Sequence, residues 1–162
     1  MLFRSALDSD VVLLRGPAGV GKSALLRQFA GALEDDPGIG IQLLDAGVVD
    51  SETLDRVAAA FRDGPQQHVL LLDNLTDGPG IDSAAILELL RSDPALRVVV
   101  ATRHVTRLES PLVALEFDVH VLTPADLLMS RDELTLVLEL NGIETTDIAI
   151  DVLMRQIGRA HV

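Results

Sequence analysis

Short runs of branched apolar residues recur along the chain, and stretches with apolar residues at helical spacing lie between them. The runs are typical of strands buried on both faces of a sheet, and the intervening stretches are typical of covering helices. The predicted strands are residues 11–15, 39–45, 69–73, 98–102 and 117–122. Residues 23–33 and segments beginning near 51 and 82 are predicted helices, and 106–115 suggests a short helix kinked at Pro111. This alternation predicts an α/β domain with right-handed crossovers.

A glycine-rich segment joins the first predicted strand to the first predicted helix. Its residues match the pattern GxxxxGK(S/T) and are Gly16, Pro17, Ala18, Gly19, Val20, Gly21, Lys22 and Ser23. Glycines let successive backbone N–H groups turn toward an anion, and the start of a helix adds unpaired donors. Lys22 would then reach the β- and γ-phosphates, and the Ser23 hydroxyl would ligate Mg²⁺. We therefore predict that all eight residues bind the phosphates of a nucleotide together with Mg²⁺; the family resemblance described below implies that the nucleotide is ATP or ADP.

A phosphate-binding loop after the first strand narrows the choice of fold. We predict a P-loop NTPase three-layer sandwich with a five-stranded parallel sheet in the order 5-1-4-3-2. Residues 6–123 form the predicted core. Residues 124–156, whose pattern is wholly helical, form the predicted start of a helical lid. Ligands in such folds bind at the carboxyl ends of the strands, so the residues that follow each strand are the candidates for chemistry.

Asp73 ends the third apolar run, in the position of a Walker B carboxylate downstream of a P-loop. It would hold Mg²⁺ opposite Ser23, and we predict that it is catalytic together with Lys22. The next residue is Asn74, where many ATPases of this type have an acidic residue that polarises the attacking water. An amide cannot act as a general base near neutral pH. Nucleotide binding should therefore survive, whereas hydrolysis should be slow or use another group such as Asp77.

Thr102 and Arg103 follow the fourth predicted strand. If that strand inserts beside the first, the pair faces the terminal phosphate. Arg103 would then be catalytic, because its planar guanidinium can sense or stabilise the γ-phosphate, and Thr102 would help to hold the nucleotide. His104 and His120 have no neighbours at ligand spacing, so a histidine-based metal site is not predicted.

Composition narrows the class of function further. Hydrophobic residues make up 48% of the 162 residues and aromatic residues only 2%, which suits an aliphatic parallel sheet. The formal net charge of −12 argues against this chain gripping nucleic acid or an anionic membrane by itself. No run approaches the roughly 20 apolar residues of a membrane span, and no signal peptide is apparent. The sequence contains no cysteine, so thiol chemistry is excluded, and a cytoplasmic location is expected.

The two ends of the sequence look foreign to the domain. Residues 157–162 resemble the translation of a common sequencing adapter, and residues 1–5 resemble its reverse complement. We therefore expect these two segments to be artefacts and the natural segment to be cut at both ends.

The elements described above together resemble the STAND class of P-loop ATPases. GPAGVGKSALL, VLLLDN and RVVVATR are similar to the ATPase module of large ATP-binding LuxR-type (MalT-like) bacterial transcriptional regulators. In that family strand four ends in a sensor, which Thr102 and Arg103 match, and residues 126–133 match the start of the lid. The resemblance implies a regulatory switch that binds ATP or ADP, hydrolyses ATP slowly or not at all, and self-associates when ATP is bound.

Two other hypotheses use the same scaffold. An AAA-like ATPase motor or clamp loader is the main alternative, and it would require an acidic residue at position 74 and an arginine finger, for which Arg91 and Arg107 are candidates. A small-molecule kinase is the third hypothesis, although neither an acceptor pocket nor an inserted lid is apparent. The chain departs from the regulators too, since it shows neither their Gly-Arg-Glu-like element before strand one nor their helix-turn-helix, as truncation would explain.

Overall fold

The computed structural model of the chain describes residues 7–78 and 80–127, together with residues 132, 135, 136, 139, 146–148 and 150–152. Five strands form one parallel sheet in the order β2-β3-β4-β1-β5, which confirms the predicted order. The strands are β1 Val11–Arg15, β2 Ile39–Asp45, β3 Gln67–Leu75, β4 Leu96–Thr102 and β5 Val119–Leu122. The suspected artefacts at 1–5 and 157–162, and most of the predicted lid, lie outside the described residues.

Helices connect the strands and cover both faces of the sheet. They are α1 Lys22–Leu33, α2 Ser51–Arg62, α3 Ser83–Ser92, α4 Pro111–Ala114 and α5 Pro124–Leu127, with a 3-10 turn at Arg107–Glu109. Asp50 caps α2, because its side chain accepts a hydrogen bond of 2.9 Å from the backbone of Thr53. The predicted kink at Pro111 is wrong. Pro111 lies in the first turn of α4, where its fixed φ suits a helix and its missing N–H needs no partner.

Alternate side chains of the central strands enter two separate cores. On β3, Leu70 and Leu72 pack with apolar residues of α2 and α3, whereas Val69 and Leu71 pack with apolar residues of α1. The same alternation holds along β1 and β4. Both faces of these strands are therefore covered, which is why their sequences are continuous apolar runs. In the described part of the chain, no helix combines the length and apolar character that a membrane crossing requires.

The end of β3 is irregular. The strand continues two residues past Asp73, where the sequence pattern placed its end, and its pairing with β4 shifts between Leu72 and Leu75. Asn74 lies within this shift and has φ 57°, in the left-handed region that asparagine tolerates better than most residues. An irregularity of this kind re-aims side chains at the edge of a sheet. It lies at the carboxyl edge, where β1 and β4 also end.

Candidate functional site

The glycine-rich segment forms the tight connection between β1 and α1. Its first residue is fixed to the sheet, because the N–H of Gly16 donates to the carbonyl oxygen of Thr102 at 3.1 Å. Gly19 and Gly21 have φ of 88° and 86°, values that glycine adopts without strain and other residues rarely adopt. Gly21 immediately precedes α1, so the loop delivers the chain to a helix N-terminus, where unpaired N–H groups favour an anion.

The beginning of α5 lies against this loop. A Cβ atom built on Gly16 would lie 3.1 Å from Cγ2 of Val20 and 3.2 Å from Cγ of Pro124. A side chain at position 16 would therefore require the side chains of Val20 and Pro124 to shift by a few tenths of an ångström. Pro124, the first residue of α5, therefore lies close to the first residue of the glycine-rich loop.

Lys22 is the first residue of α1 and is only 8% exposed. Its Nζ atom donates to the carbonyl oxygens of Gly16 and Pro17, both at 2.7 Å. Burial lowers the pKa of Lys22, the nearby Arg103 lowers it further, and Asp73 partly opposes these effects. The charges of these predicted catalytic residues therefore act on one another at a single edge of the sheet. Ser23 follows in the first turn of α1 and is half-buried.

Asp73 and Asn74 lie at the irregular end of β3, beside Asp45 at the end of β2. Asp73 accepts a hydrogen bond of 2.9 Å from the backbone N–H of Asn74. The side-chain amide of Asn74 donates to the carboxylate of Asp45 at 3.2 Å. Asp45 was not among the predicted site residues, although it ends an apolar strand just as Asp73 does. Its position at the end of an apolar strand is the feature of the sequence that could have identified Asp45 as a site residue.

A cavity of about 410 Å³ lies between the ends of the central strands, and its lining includes Lys22, Asn74, Thr102 and Arg103. Residues from the glycine-rich loop, from the end of β3 and from the end of β4 thus meet at the carboxyl edge of the sheet. Ligands bind at this edge in folds of this kind. A larger groove of about 650 Å³ between α2 and α3 contains none of the predicted site residues. We therefore regard the smaller cavity as the candidate site.

Thr102 is buried, with 1% of its surface exposed. Its hydroxyl lies 3.1 Å from the carbonyl oxygen of Leu75 and 3.0 Å from that of His104, and it accepts a bond from the N–H of His104 at 3.2 Å. These bonds join the end of β3 to the loop that carries the exposed side chain of Arg103. They favour a role for Thr102 in holding that loop. Contact between Thr102 and a nucleotide stays a prediction.

Asp77, the suggested substitute base, is engaged in other contacts. One carboxylate oxygen accepts from the N–H and the hydroxyl of Ser83 at 3.2 and 2.6 Å, and the other accepts from the backbone N–H of Arg107 at 2.9 Å. Partial burial acts to raise the pKa of Asp77, but these hydrogen bonds outweigh it and the pKa is lowered. A carboxylate held by three donors is a poor proton acceptor. Asp77 therefore connects two loops rather than replacing an acidic residue at position 74.

The two candidates for an arginine finger differ in their surroundings. Arg91 forms a bidentate pair with Glu116, with N–O distances of 2.6 and 2.8 Å, and this pairing raises the pKa of Arg91. Arg107 is exposed at the 3-10 turn. Because the fork of Arg91 is already occupied, Arg107 is the better candidate of the two.

The oxygen donors near Lys22 fit a magnesium ion. Mg²⁺ in nucleotide sites is held by one or two protein oxygens, and phosphate oxygens and waters complete its shell. The hydroxyl of Ser23 and the carboxylate of Asp73 are donors of this kind. Among the described residues, no group of three His, Cys, Asp or Glu side chains could hold a metal ion.

Solved structures of similar fold have low sequence identity to this chain. A variant of RuvB from Thermotoga maritima has a TM-score of 0.53 and 21% identity, covering 94% of this chain and 53% of that one. The AAA domain of FIGL-1 in complex with ADP has a TM-score of 0.57 and 16% identity, with coverage of 90% and 54%. Trip13 from Rhizobiales has a TM-score of 0.51 and 18% identity, with coverage of 95% and 60%. The chain thus spans little more than half the length of these proteins, and the likeness concerns the fold.

Family membership rests on a sequence comparison. Curated protein sequences give no match to this chain. The family model described as "ATPase family associated with various cellular activities (AAA)" matches residues 12–125, a range that includes the glycine-rich loop, Asp73 and Arg103. This range is more than half of the chain, and it coincides with the sheet and the cavity described above. The chain therefore belongs to the AAA family of P-loop ATPases.

Proposed function

We propose that this domain binds ATP and ADP together with Mg²⁺ and hydrolyses ATP slowly. The observation that carries the proposal is the position of Lys22, which lies at the glycine-rich turn within electrostatic reach of Asp73 and Arg103. Membership of the AAA family supports nucleotide binding. The FIGL-1 domain, which has a similar fold, was solved in complex with ADP.

Lys22 would act as the main cationic contact for the phosphates. Its two present acceptors are backbone carbonyl oxygens, which carry only partial charge. Phosphate oxygens would be stronger acceptors, because they carry a formal negative charge that attracts the ammonium group directly. The backbone N–H groups of residues 18–23 would supply further donors at the start of α1. Mg²⁺, held by Ser23 and Asp73, would neutralise charge on the transferred phosphoryl group.

Slow hydrolysis follows from the residues around the cavity. Asn74 follows Asp73, and an amide side chain can orient a water molecule but cannot take its proton near neutral pH. Asp77 is held by Ser83 and Arg107. The site must therefore act through positioning and electrostatic stabilisation, with no strong base among these residues.

Two hypotheses were considered for the wider role of the domain, a LuxR-type regulatory switch and an AAA-like ATPase motor. The comparisons support an AAA-like ATPase, which was the alternative, and they give no support to a LuxR-type regulator. A regulatory switch and a motor would bind nucleotide in the same way, and they would differ in turnover. Self-association in the ATP-bound state and a cytoplasmic location belong to the same proposal.

Calorimetric titration of the purified chain with ATP and ADP tests the proposal. Both nucleotides should bind, and Lys22→Ala should weaken binding by about 30-fold or more, because loss of one partner of a buried charge pair costs at least about 2 kcal/mol. Arg27→Ala, at an exposed position on the same helix, is the matched control and should bind normally. Unchanged affinity in Lys22→Ala would contradict the site. Phosphate release by the unmodified chain then measures turnover, and a brisk rate would support the motor and contradict slow hydrolysis.

A further inference from the structure

We propose that the ion pair between Arg15 and Glu109 holds Arg103 at the candidate site and thereby sets the preference of the domain for ATP over ADP. The inference rests on the proposed function and deepens it, because it assigns a role to two residues that had none there. Neither of their side chains lines the cavity, whereas Arg103 does. Arg15 and Glu109 are therefore positioning residues, and they act through Arg103.

The ion pair joins two segments that lie far apart in the sequence. Nη1 of Arg15 donates to Oε2 of Glu109 at 2.7 Å, and the two positions are 94 residues apart. The side chain of Arg15 is 31% exposed and that of Glu109 only 11%. Salt screens a partly buried pair much less than an exposed one, and a hydrogen bond between two charged groups is short and strong. The pair is therefore a firm link between the end of β1 and the 3-10 turn.

Arg15 lies where two loops of the candidate site leave the sheet. It is the last residue of β1 and immediately precedes Gly16. It is paired with Thr102, the last residue of β4, and the N–H of Gly16 donates to the carbonyl oxygen of Thr102 at 3.1 Å. The chain continues from β1 into the glycine-rich loop and from β4 into Arg103. A contact to the side chain of Arg15 is therefore made at the common origin of both loops.

Glu109 holds the far end of the loop that carries Arg103. It is the last residue of the 3-10 turn, and its backbone N–H donates to the carbonyl oxygen of Thr106 at 3.1 Å. Its Oε1 accepts a longer hydrogen bond of 3.4 Å from the N–H of Thr106, whereas its Oε2 is the atom that binds Arg15. One carboxylate thus connects Thr106 to the end of β1.

The loop between these two attachments is short. Thr102 is fixed by the bonds of its own hydroxyl, Thr106 is held by Glu109, and only residues 103–105 lie between them. All three intervening residues are exposed. A segment of three residues with both ends fixed has few conformations available to it. The position of Arg103 at the cavity therefore depends on both attachments, and the ion pair supplies one of them.

Loss of the ion pair should loosen this loop without unfolding the 3-10 turn. The backbone N–H of Arg107 still donates to Asp77 at 2.9 Å, and Leu108 still lies in the core. Arg103 would then sample several positions, and its proposed contact with the γ-phosphate would become weaker. ADP has no γ-phosphate, so the affinity for ADP should not change.

Titration calorimetry of Glu109→Gln and Arg15→Gln with ATP and ADP, in the presence of Mg²⁺, provides the first test. We expect ATP affinity to fall by about fivefold in both variants, with ADP affinity unchanged. The two substitutions alter the charge of the domain in opposite directions. A general effect of charge would therefore strengthen nucleotide binding in Glu109→Gln and weaken it in Arg15→Gln. That outcome, or unchanged ATP affinity in both variants, would overturn the proposal.

Glu116→Gln is the matched control, because it makes the same chemical change in a second arginine–glutamate pair. Glu116 binds Arg91 with N–O distances of 2.6 and 2.8 Å. Neither of these two residues lines the cavity. The control should bind ATP and ADP as the unmodified chain does. If Glu116→Gln and Glu109→Gln lost ATP affinity equally, the effect would not depend on the loop of Arg103 and the proposal would be overturned.

A double-mutant cycle tests whether the pair acts through Arg103. Arg103→Ala removes the group that is positioned, so adding Glu109→Gln to it should cause no further loss of ATP affinity. If the two losses added, Glu109 would act independently of Arg103 and the proposal would be overturned. Thermal unfolding checks that each variant is folded, and Arg15→Gln takes the place of Glu109→Gln in the cycle if the latter does not fold.

The unmodified chain and Arg103→Ala separate this proposal from the proposed function. If the unmodified chain binds no nucleotide, both fail. If it binds both nucleotides and Arg103→Ala weakens only the binding of ATP, the proposed function stands. Unchanged ATP affinity in Glu109→Gln and Arg15→Gln would then overturn the role of the ion pair alone.

Discussion

The Nζ atom of Lys22 lies 2.7 Å from the carbonyl oxygen of Gly16, six residues earlier in the loop that this bond closes. The ammonium group is therefore held by the loop itself, at the position where we propose that phosphate binds. Burial and the charge of Arg103 lower the pKa of Lys22. Burial and Arg103 disfavour the positive charge of Lys22. A negatively charged nucleotide phosphate would stabilise that charge. Lys22 is also the only lysine in the sequence, which makes its environment measurable by chemical labelling.

Acylation of Lys22 by an amine-specific reagent should begin at lower pH than acylation of an ordinary lysine, whose pKa is about 10.4. The lowered pKa leaves more of the neutral, reactive amine at any given pH. ATP should slow the reaction, because phosphate favours the ammonium form and covers it. Mass spectrometry of peptides gives the rate, and the N-terminal amine of the same chain is the internal control. A rate that ATP does not change would argue against contact between Lys22 and phosphate.

Asp73→Asn should weaken the binding of ATP in the presence of Mg²⁺ by about tenfold, since hydrogen bonds and contacts to charged groups contribute about 1.5–3 kcal/mol. Binding measured in excess chelator should change little, because the carboxylate is proposed to act through the metal ion. Asp35→Asn, in the exposed turn after α1, is the control. If Asp73→Asn weakened ATP binding equally with and without Mg²⁺, Asp73 would not act through the metal ion.

Arg103→Ala should reduce the preference of the domain for ATP over ADP. The exposed guanidinium lies at the cavity and is proposed to contact the γ-phosphate, which ADP lacks. We expect ATP affinity to fall by about tenfold and ADP affinity to remain nearly constant. Arg56→Ala removes an exposed arginine from α2 and should change neither value. If Arg103→Ala weakened the binding of ATP and of ADP equally, a role of Arg103 in sensing the γ-phosphate would be contradicted.

Asp77→Ala should lower the free energy of unfolding by about 1 kcal/mol, because it removes an acceptor shared by Ser83 and Arg107. The pKa of Asp77 is lowered in the folded chain, so its contribution is complete above the ordinary aspartate pKa of about 4 and is lost as the pH falls through the lower folded value. Denaturant unfolding between neutral pH and pH 3 measures this. The variant should lose less stability than the unmodified chain over that range. If the difference in unfolding free energy between Asp77→Ala and the unmodified chain did not change with pH, the charge of Asp77 would contribute nothing to stability.

Gly80→Ala should destabilise the fold by about 1–3 kcal/mol. Gly80 has φ 105°, and a Cβ atom there would lie 2.6 Å from the carbonyl oxygen of Ala46. Gly31 lies in α1 with open space around it, so Gly31→Ala should be stabilising by about 0.5–1 kcal/mol. Thermal unfolding of the two variants compares the same glycine-to-alanine change at a crowded position and at an open one. Similar melting temperatures for both would show that the close approach at Gly80 is not restrictive.

The sequence by itself determined approximately where the five strands lie and where the glycine-rich loop is, and the P-loop pattern of that loop predicted the strand order. Apolar runs such as 69–73 are local and continuous, because a strand covered on both faces needs an apolar residue at every position. The turn at Gly19 and Gly21 is equally local, since it depends on backbone freedom at single residues. The placement of Asp73 near Lys22 could be predicted because the carboxyl ends of parallel strands share an edge.

Only the tertiary structure decided which polar groups bond to each other at that edge. Asn74 bonds to Asp45 across 29 residues of sequence, and Asp77 bonds to the backbone of Arg107 across 30. No local pattern encodes such pairs, because each depends on the register between strands, on the shift in pairing at the end of β3 and on the path of a loop. Hydrophobic periodicity fixes where a strand lies, but a hydrogen bond needs its atoms placed to within a few tenths of an ångström.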